Sequence, residues 1–294
     1  MNNFHGRHRS HSYFEGWYFK HQSDTGEIAF IPGVNFTEQG GKKAFIQVIT
    51  RDASFQADYP YSAFKVSAHK PVIQIGENIF SYKGIKINMQ GKDFTCRGTI
   101  KYAPLTPLQS DIMGPFHFVP RMECNHGVIS MKHGLSGTLT LNGKQMDFSN
   151  GDGYIEKDWG SSFPQNYMWL QCNRFTNPSC SIMVSIAKIP FAGFHFQGCI
   201  CAVNFAGKEY RLATYRGVKI VRYSENELLL RQGAYCLRAE MFPDSPQQLF
   251  APQLGVMARR IRENMSCRAR FRFYRGGVLL FDLQSNEAGY EFVQ

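Results

Sequence analysis

Two short stretches of the sequence place carboxylates among aromatic residues, a combination that suits acid chemistry in an apolar site. The first, SYFEGWYFK (12–20), has Glu15 as its one acid beside five aromatic residues. The second, GDGYIEKDWGSSFPQNYMWLQCNRF (151–175), carries Glu156 and Asp158. An unpaired carboxylate is costly to bury, so each of these acids must reach water, find a partner or keep its proton.

In the first stretch, strand geometry places Glu15 between two aromatic rings. Successive side chains of a strand point to opposite faces, so Tyr13, Glu15 and Trp17 share one face and Tyr18 lies on the other. Two interpretations stay open. Glu15 is a structural acid bonded to an Arg, a Lys or the backbone, or it is a catalytic carboxyl group on an aromatic wall, with Tyr13, Trp17 and Tyr18 as substrate contacts.

In the second stretch, the same alternation places two acids on one face. Tyr154, Glu156 and Asp158 fall together, while Trp159 falls on the opposite face. Adjacent like charges raise each other's proton affinity, which is a reason for one of the two carboxyl groups to stay protonated. Glu156 and Asp158 are therefore catalytic candidates, and Tyr154 and Trp159 are candidate substrate contacts.

The strand predicted after the loop at Gly160 and Pro164 has one apolar and one amphipathic face. The amphipathic face suits the wall of an apolar pocket that has a few oriented polar groups, although a plain two-sided sheet explains the pattern equally well. Its candidate substrate contacts are Tyr167, Trp169, Gln171 and Asn173.

The segment RMECNHGVISMKH (121–133) places Glu123 close to His126. A Glu-x-x-His pair can bind a metal on a helix, but GVISM is typical of a strand and Gly127 interrupts a helical pattern. We therefore predict no metal site here and treat Glu123 and His126 as substrate contacts.

Several common functional motifs are absent from the sequence. It contains no G-x-G-x-x-G after a strand, no P-loop, no G-x-S-x-G and no H-E-x-x-H, so we expect no nucleotide, flavin or metal cofactor. The aromatic residues lack the interleaved basic residues of RNA-binding sheets, so we expect no nucleic-acid partner.

The elements that must position these residues are predicted to be strands. The chain has 294 residues, rich in Phe and Tyr, and short alternating segments are separated by turn signals about every ten residues, which indicates an all-β fold of barrels or curved sandwiches. We predict two domains, 1–150 and 151–294, and one short helix near 254–265. The polar residues at the start, including His5, His8 and His11, are predicted to be a mobile tail.

Charge and targeting signals suggest where the protein acts. The net charge is +10 and the residues Arg268, Arg270 and Arg272 alternate, as expected for a solvated strand face or for a patch that touches an anionic membrane. The chain begins without an apolar signal region and contains no run of 18 apolar residues, so we expect a cytoplasmic protein, at most peripheral to a membrane.

The stretches YFEGWYFK, MECNHGVISM and GYIEKDWGSSFPQNYMWLQCN resemble, in this order, motifs of the tocopherol cyclase family. The resemblance implies two lipocalin-like β-barrel domains, an architecture shared with carotenoid hydratases. In plant and cyanobacterial members it implies closure of a prenylated hydroquinone to a chromanol ring. Plant members carry Asn where this chain has Asp158, while Glu156, Lys157 and Trp159 match.

Such a cyclisation needs a protonated acid, aromatic faces and a dry site, and no redox cofactor. The acid protonates a trisubstituted alkene, the rings stabilise the tertiary cation, and a phenol oxygen captures it before water does. We prefer Glu156 as the proton donor, with Glu15 as the alternative. Two other functions stay open, a lipocalin-type carrier of a hydrophobic ligand and an isoprenoid alkene hydratase.

Overall fold

Strands make up most of the chain in the computed structural model, which describes residues 4–67, 71–91, 93–119, 122–175, 179–191 and 194–294. Over these residues the helical elements are four 3-10 turns: His5–His8, Tyr61–Ala63, Gly114–Phe118 and Thr214–Arg216. No helix in this part of the chain is long and apolar enough to cross a membrane. The predicted all-β class is confirmed.

The chain divides into two units. Unit 1 contains Met1–Leu108, Arg121–Phe163 and Leu249–Arg260, and unit 2 contains Gln109–Pro120, Pro164–Gln248 and Ile261–Gln294. The predicted single division at residue 150 differs from this partition. It was placed at the turn before GDGYIEK, but that turn joins two strands of one sheet, so the strand that follows belongs to unit 1.

The first sheet has twelve strands, and its hydrogen-bonded order is β4-β3-β2-β1-β12-β10-β9-β8-β7-β6-β5, with β11 paired to β10. The strands are β1 (Tyr13–Ser23), β2 (Gly26–Phe36), β3 (Lys42–Thr50), β4 (Ser54–Pro60), β5 (Phe64–Val66), β6 (Val72–Ile75), β7 (Asn78–Ser81), β8 (Gly84–Gln90), β9 (Thr95–Tyr102), β10 (Cys124–Leu141), β11 (Lys144–Asp147) and β12 (Gly151–Gly160).

The second sheet has ten strands in the order β16-β15-β14-β13-β22-β21-β19-β18-β17, with β20 paired to β21. The strands are β13 (Tyr167–Cys172), β14 (Cys180–Phe191), β15 (Phe194–Phe205), β16 (Lys208–Ala213), β17 (Lys219–Tyr223), β18 (Glu227–Gln232), β19 (Tyr235–Phe242), β20 (Gln247–Gln253), β21 (Val256–Arg275) and β22 (Val278–Val293).

The predicted helix near 254–265 is wrong. These residues are the turn after β20 and the first half of β21, in which Gly255 has a φ of +77°. A Cβ on Gly255 would lie 2.0 Å from the carbonyl oxygen of Phe36, so the chain passes close to β2 at this point. Met257, Ile261 and Met265 recur every four residues and imitate a helical stripe, but cross-strand pairing overrides that local pattern.

The sheet of unit 1 has two faces with different roles. Its inner face, defined by Trp17, Phe19 and Ile155, carries the hydrophobic core of the unit. Its outer face, defined by Tyr18 and Glu156, points away from that core. Over β3 the outer face is covered by β20, because the side-chain amide of Gln47 donates to the carbonyl of Phe250 at 3.0 Å and accepts its backbone N–H at 2.9 Å.

Unit 2 has its own core and an exposed face with ion pairs. The predicted apolar face of β13, namely Met168, Leu170 and Cys172, lies in that core. On the face of β21 opposite that core, Arg270 pairs with Asp282, and Arg272 pairs with Glu240. These two arginines are thus partly neutralised on a solvated strand face, and contact with an anionic membrane stays a prediction.

Two histidines are buried in the core of unit 1. The Nε2 atom of His21 lies 2.6 Å from the Tyr102 hydroxyl, and the Tyr102 ring lies 4.5 Å from the His133 ring. Burial lowers the pKa of His21 to about 3, and burial together with the nearby His21 lowers the pKa of His133 to about 3. Both rings are therefore neutral in the folded protein, and protonation favours the unfolded chain.

The free energy of unfolding should fall as the pH drops below about 6.5, the pKa of an unfolded His. A group whose pKa is lower in the folded state contributes its full stability above the pKa of the unfolded state. Below that pKa, each such His lowers the free energy of unfolding by about 1.4 kcal/mol per pH unit. Urea unfolding at pH 7.5 and 5.5 measures this slope. His133→Asn should flatten it, while replacement of the exposed His195 by Gln should leave it unchanged. Equal slopes in all three proteins would contradict the assignment.

Candidate active site on strand β12

Strand β12 lies between β1 and β10 and divides its side chains between the two faces of the sheet. Trp17 is directly opposite Lys157, and Glu15 is opposite Trp159, so these four residues share the inner face. On the β10 side, His126 is directly opposite Asp158. His126 therefore shares the outer face with Asp158, and with Glu156 two residues before it.

Glu15 is completely buried on the inner face and is fully engaged there. Its Oε1 atom lies 2.5 Å from the Lys157 ammonium. Its Oε2 atom accepts the backbone N–H groups of His5 at 2.9 Å and Gly6 at 3.0 Å, together with the Tyr13 hydroxyl. Burial opposes ionisation, but the bonds from His5 and the charge of Lys157 outweigh it and hold the pKa of Glu15 below its usual range.

Lys157 lies between two indole rings. Its Nζ atom is 5.0 Å from the ring centroid of Trp17 and 5.0 Å from that of Trp159. The His5 ring stacks on Trp159 at 4.4 Å, and its Nδ1 lies 3.0 Å from the Lys157 Nζ. Burial lowers the pKa of Lys157, and the charge of Glu15 opposes that shift. His5–His8 is thus held by β1 and β12, which corrects the predicted mobile tail at these residues.

The outer face brings one histidine and two acids together. The Nδ1 atom of His126 lies 2.8 Å from Asp158 Oδ1, and its Nε2 atom lies 3.5 Å from Glu156 Oε2. The Tyr154 hydroxyl donates to the same Glu156 oxygen at 2.6 Å. Glu156 is only 4% exposed. This arrangement can hold a proton, pass it between groups and keep it away from bulk water.

The same three residues are the group that could hold a metal ion among the described residues. One atom each of His126, Glu156 and Asp158 lies within 4.8 Å of the other two. Hydrogen bonding accounts for this spacing, because Asp158 is bonded to His126 and Glu156 to Tyr154. The same contacts would let the trio exchange a proton, and the absence of a metal stays a prediction.

Aromatic side chains and a lysine share the outer face with this cluster. Phe14 and Tyr18 are buried on the same face, and the Phe163 ring meets Phe14 at 5.4 Å. Lys20 is 1% exposed and lies directly opposite Tyr154 on β1. The outer face thus combines rings, which can face a cation, with a buried lysine side chain.

The predicted site residues of unit 1 separate into two groups. Tyr18, His126 and Tyr154 lie with Glu156 on the outer face. Tyr13, Trp17 and Trp159 lie with Glu15 on the inner face, so Trp159 is not a contact of Glu156. The alternation of β12 already indicated this separation. The Glu123 side chain is exposed, and its backbone carbonyl accepts N–H groups of the loop after β12, so it lies outside both groups.

The remaining predicted contacts belong to unit 2. Tyr167, Trp169, Gln171 and Asn173 are buried on the face of β13 opposite the core of that unit. The Tyr167 hydroxyl donates to Glu291 Oε2 at 2.5 Å.

Sequence reasoning missed two buried acids of this face. Glu291 lies directly opposite Trp169, and Glu263 lies opposite Glu291. Alternation in YEFVQ (290–294) places the side chains of Glu291 and Tyr290 on opposite faces of the strand. Only the strand order shows that Glu291 lies beside β13.

The model of the tocopherol cyclase-like family matches residues 90–217 of this chain. The resemblance to the tocopherol cyclase family is confirmed. The matched range contains the MECNHGVISM and GYIEKDWG motifs, with His126, Glu156 and Asp158, and leaves YFEGWYFK (12–20) outside.

Two plant proteins are also similar to part of this chain. A rice protein (Oryza sativa subsp. japonica) described as a probable chloroplastic tocopherol cyclase is 28% identical over 130 residues, which is 42% of this chain and 27% of the rice protein. The chloroplastic tocopherol cyclase of Zea mays is 29% identical over 97 residues, 31% of this chain and 20% of the maize protein. The chain thus spans about a quarter of the length of these relatives.

Solved structures share the fold at low identity. A Nitrosomonas europaea protein assigned as AttH matches with a TM-score of 0.55 and 11% identity, over 95% of this chain and 92% of its own. Kievitone hydratase from Nectria haematococca matches with a TM-score of 0.56 and 10% identity, over 96% and 88%. These likenesses confirm the two-sheet β architecture and say nothing of the reaction.

Lys157→Met should destabilise the protein by about 3–5 kcal/mol, because it leaves the carboxylate of Glu15 buried without its cation. Urea unfolding at pH 7 measures the loss. Lys132→Met is the matched control, since Lys132 pairs with Asp152 at 3.1 Å where both side chains reach solvent, and it should cost about 1 kcal/mol or less. Equal losses in the two variants would show that Glu15 does not depend on Lys157.

Proposed function

We propose that this protein catalyses a cofactor-independent, acid-catalysed cyclisation of a prenylated hydroquinone or a similar isoprenoid, with Glu156 as the proton donor. The membership of its motifs in the tocopherol cyclase family supports the reaction class. The reaction itself needs only proton transfers, and the side chains that could perform them are on the outer face of unit 1.

The observation that carries the proposal is the separation of the two candidate acids. Glu15 is held ionised by an ammonium and two backbone N–H groups, so it has no proton to give. Glu156 is also buried, and its contacts include a neutral hydroxyl, a histidine ring and a second acid. Burial and a like charge both favour the protonated form of a carboxyl group, which suits a general acid near neutral pH.

In the first step, Glu156 transfers its proton to the less substituted carbon of the alkene. A tertiary cation forms on the neighbouring carbon as the carboxylate forms on Glu156. The rings of Tyr18 and Tyr154 share the outer face with Glu156, and aromatic faces stabilise a cation by roughly 0.5–2 kcal/mol each. The developing carboxylate keeps the hydrogen bond from the Tyr154 hydroxyl.

In the second step, the phenol oxygen of the substrate attacks the cation and closes the ring. The phenol loses its proton as the carbon–oxygen bond forms, so the reaction consumes no net acid. Burial of the cluster matters here, because water reaching the cation would give an alcohol instead of a ring. A hydratase would use the same acid and admit one water, and a carrier would bind the ligand without turnover.

Glu156→Gln should keep the shape of the site and remove its acid. Turnover of a prenylated hydroquinone, followed by chromatography of the products, should fall roughly 10²–10⁴-fold. Binding of the same compound should persist, since apolar burial supplies most of its affinity. Glu38→Gln, at an exposed position in unit 1, is the matched control and should behave as wild type.

Each alternative predicts its own result in these assays. Full turnover by Glu156→Gln together with an inactive, folded Glu15→Gln would move the acid to the inner face. A tertiary alcohol as the main product would identify a hydratase. Tight binding with no product from the wild-type protein would identify a carrier.

A further inference from the structure

The ring of His126 lies between two carboxylates in an arrangement that orders its two nitrogens. Nδ1 is 2.8 Å from Asp158 Oδ1, a hydrogen-bond distance, and Nε2 faces Glu156 Oε2 at 3.5 Å. A neutral imidazole carries one N–H, and the partner of one nitrogen decides which nitrogen carries it. The Asp158 carboxylate can only accept a hydrogen bond, which Nδ1 donates when it carries the proton, so Nε2 of the neutral ring presents its lone pair to Glu156.

Glu156 and His126 can therefore share one proton. The proton is either on the Glu156 carboxyl group, with His126 neutral, or on Nε2, with Glu156 ionised. Both states carry the same net charge and the same number of protons, so the cluster can pass between them without a proton from solvent. Such an exchange matters to a buried acid that must regain its proton in every cycle.

From this geometry we infer that His126 accepts the phenol proton during ring closure and returns it to Glu156, with Asp158 as the residue that positions its ring. The inference rests on the proposed cyclisation. Glu156 gives its proton to the alkene and becomes a carboxylate. The phenol oxygen bonds to the cation and its proton moves to His126 Nε2. The imidazolium then protonates the Glu156 carboxylate, which restores both groups and balances the cycle.

The charges around His126 agree with this role. Asp158 and Glu156 face it from β12, and each stabilises the transient imidazolium. Cys124 precedes it on β10 with Sγ 3.9 Å from Asp158 Oδ1, but burial and the charge of Asp158 raise the pKa of that thiol well above its usual range, so it stays neutral. Tyr154 and the buried Lys20 lie further along the same face.

Three variants test the relay in a steady-state assay with a prenylated hydroquinone. His126→Gln removes the base and should lower the rate about 10²-fold. Asp158→Asn keeps a side-chain oxygen for Nδ1–H and should stay within about 10-fold of wild type. Asp158→Leu removes that oxygen and should approach the rate of His126→Gln. Folding is checked for each by urea unfolding, and His126→Ala with added imidazole provides a second test, since free imidazole should restore part of its rate.

The outcomes separate the relay from the proposed function. A wild-type rate in folded His126→Gln, with Glu156→Gln inactive, would overturn the relay and leave the acid in place. Full activity of Glu156→Gln would overturn the proposed function and the relay with it. Nitrogen-15 NMR of the His126 ring in ligand-free protein gives a readout without substrate. The relay requires a protonated Nδ1, and a proton confined to Nε2 in the neutral ring would contradict it.

Discussion

The buried ion pair between Glu15 and Lys157 fixes the orientation of strand β12, and the site depends on that orientation. A strand alternates its side chains, so a slip of one residue would turn Glu156 inward and Lys157 outward. Such a slip would leave the carboxylate of Glu15 in the core without its cation, at a cost of several kcal/mol. The Trp17 and Trp159 rings and the His5–His8 turn reinforce the inward position of Lys157. The pair therefore specifies the register that places Glu156 and Asp158 on the outer face.

Two buried carboxyl groups in one sheet have different partners, and the proposed function gives them opposite roles. Glu15 meets an ammonium and two N–H groups, all of which favour the charged form. Glu156 meets a phenol, an imidazole and an acid, and this set allows a proton to be held and exchanged. In the proposed function both kinds of group are needed, since the ionised pair on one face holds the proposed acid in place on the other.

The sequence predicted the all-β class, the split of β12 into two faces and the candidate acids, because alternation is a local property. It did not predict that Trp159 belongs with Glu15, because the pairing of β12 with β1 depends on strand order and not on local alternation. The helix predicted near 254–265 is a strand from Val256 onward, because cross-strand pairing overrides the helical spacing of Met257, Ile261 and Met265. The contacts of His5 with Glu15, of His126 with Asp158 and of Glu291 with β13 depend on strand order and register, which no local pattern contains.

The proposed function requires that Glu156 carries a proton at neutral pH while Glu15 is ionised. Carbon-13 NMR of protein labelled at the glutamate side-chain carboxyl carbon tests it without a substrate. We expect a carboxyl resonance at the position of a protonated acid at pH 7 that is lost in Glu156→Gln and kept in Glu38→Gln. If all glutamate carboxyl groups are ionised at pH 7, or if no protonated resonance is lost in Glu156→Gln, then Glu156 does not hold a proton in the resting protein and is not the general acid.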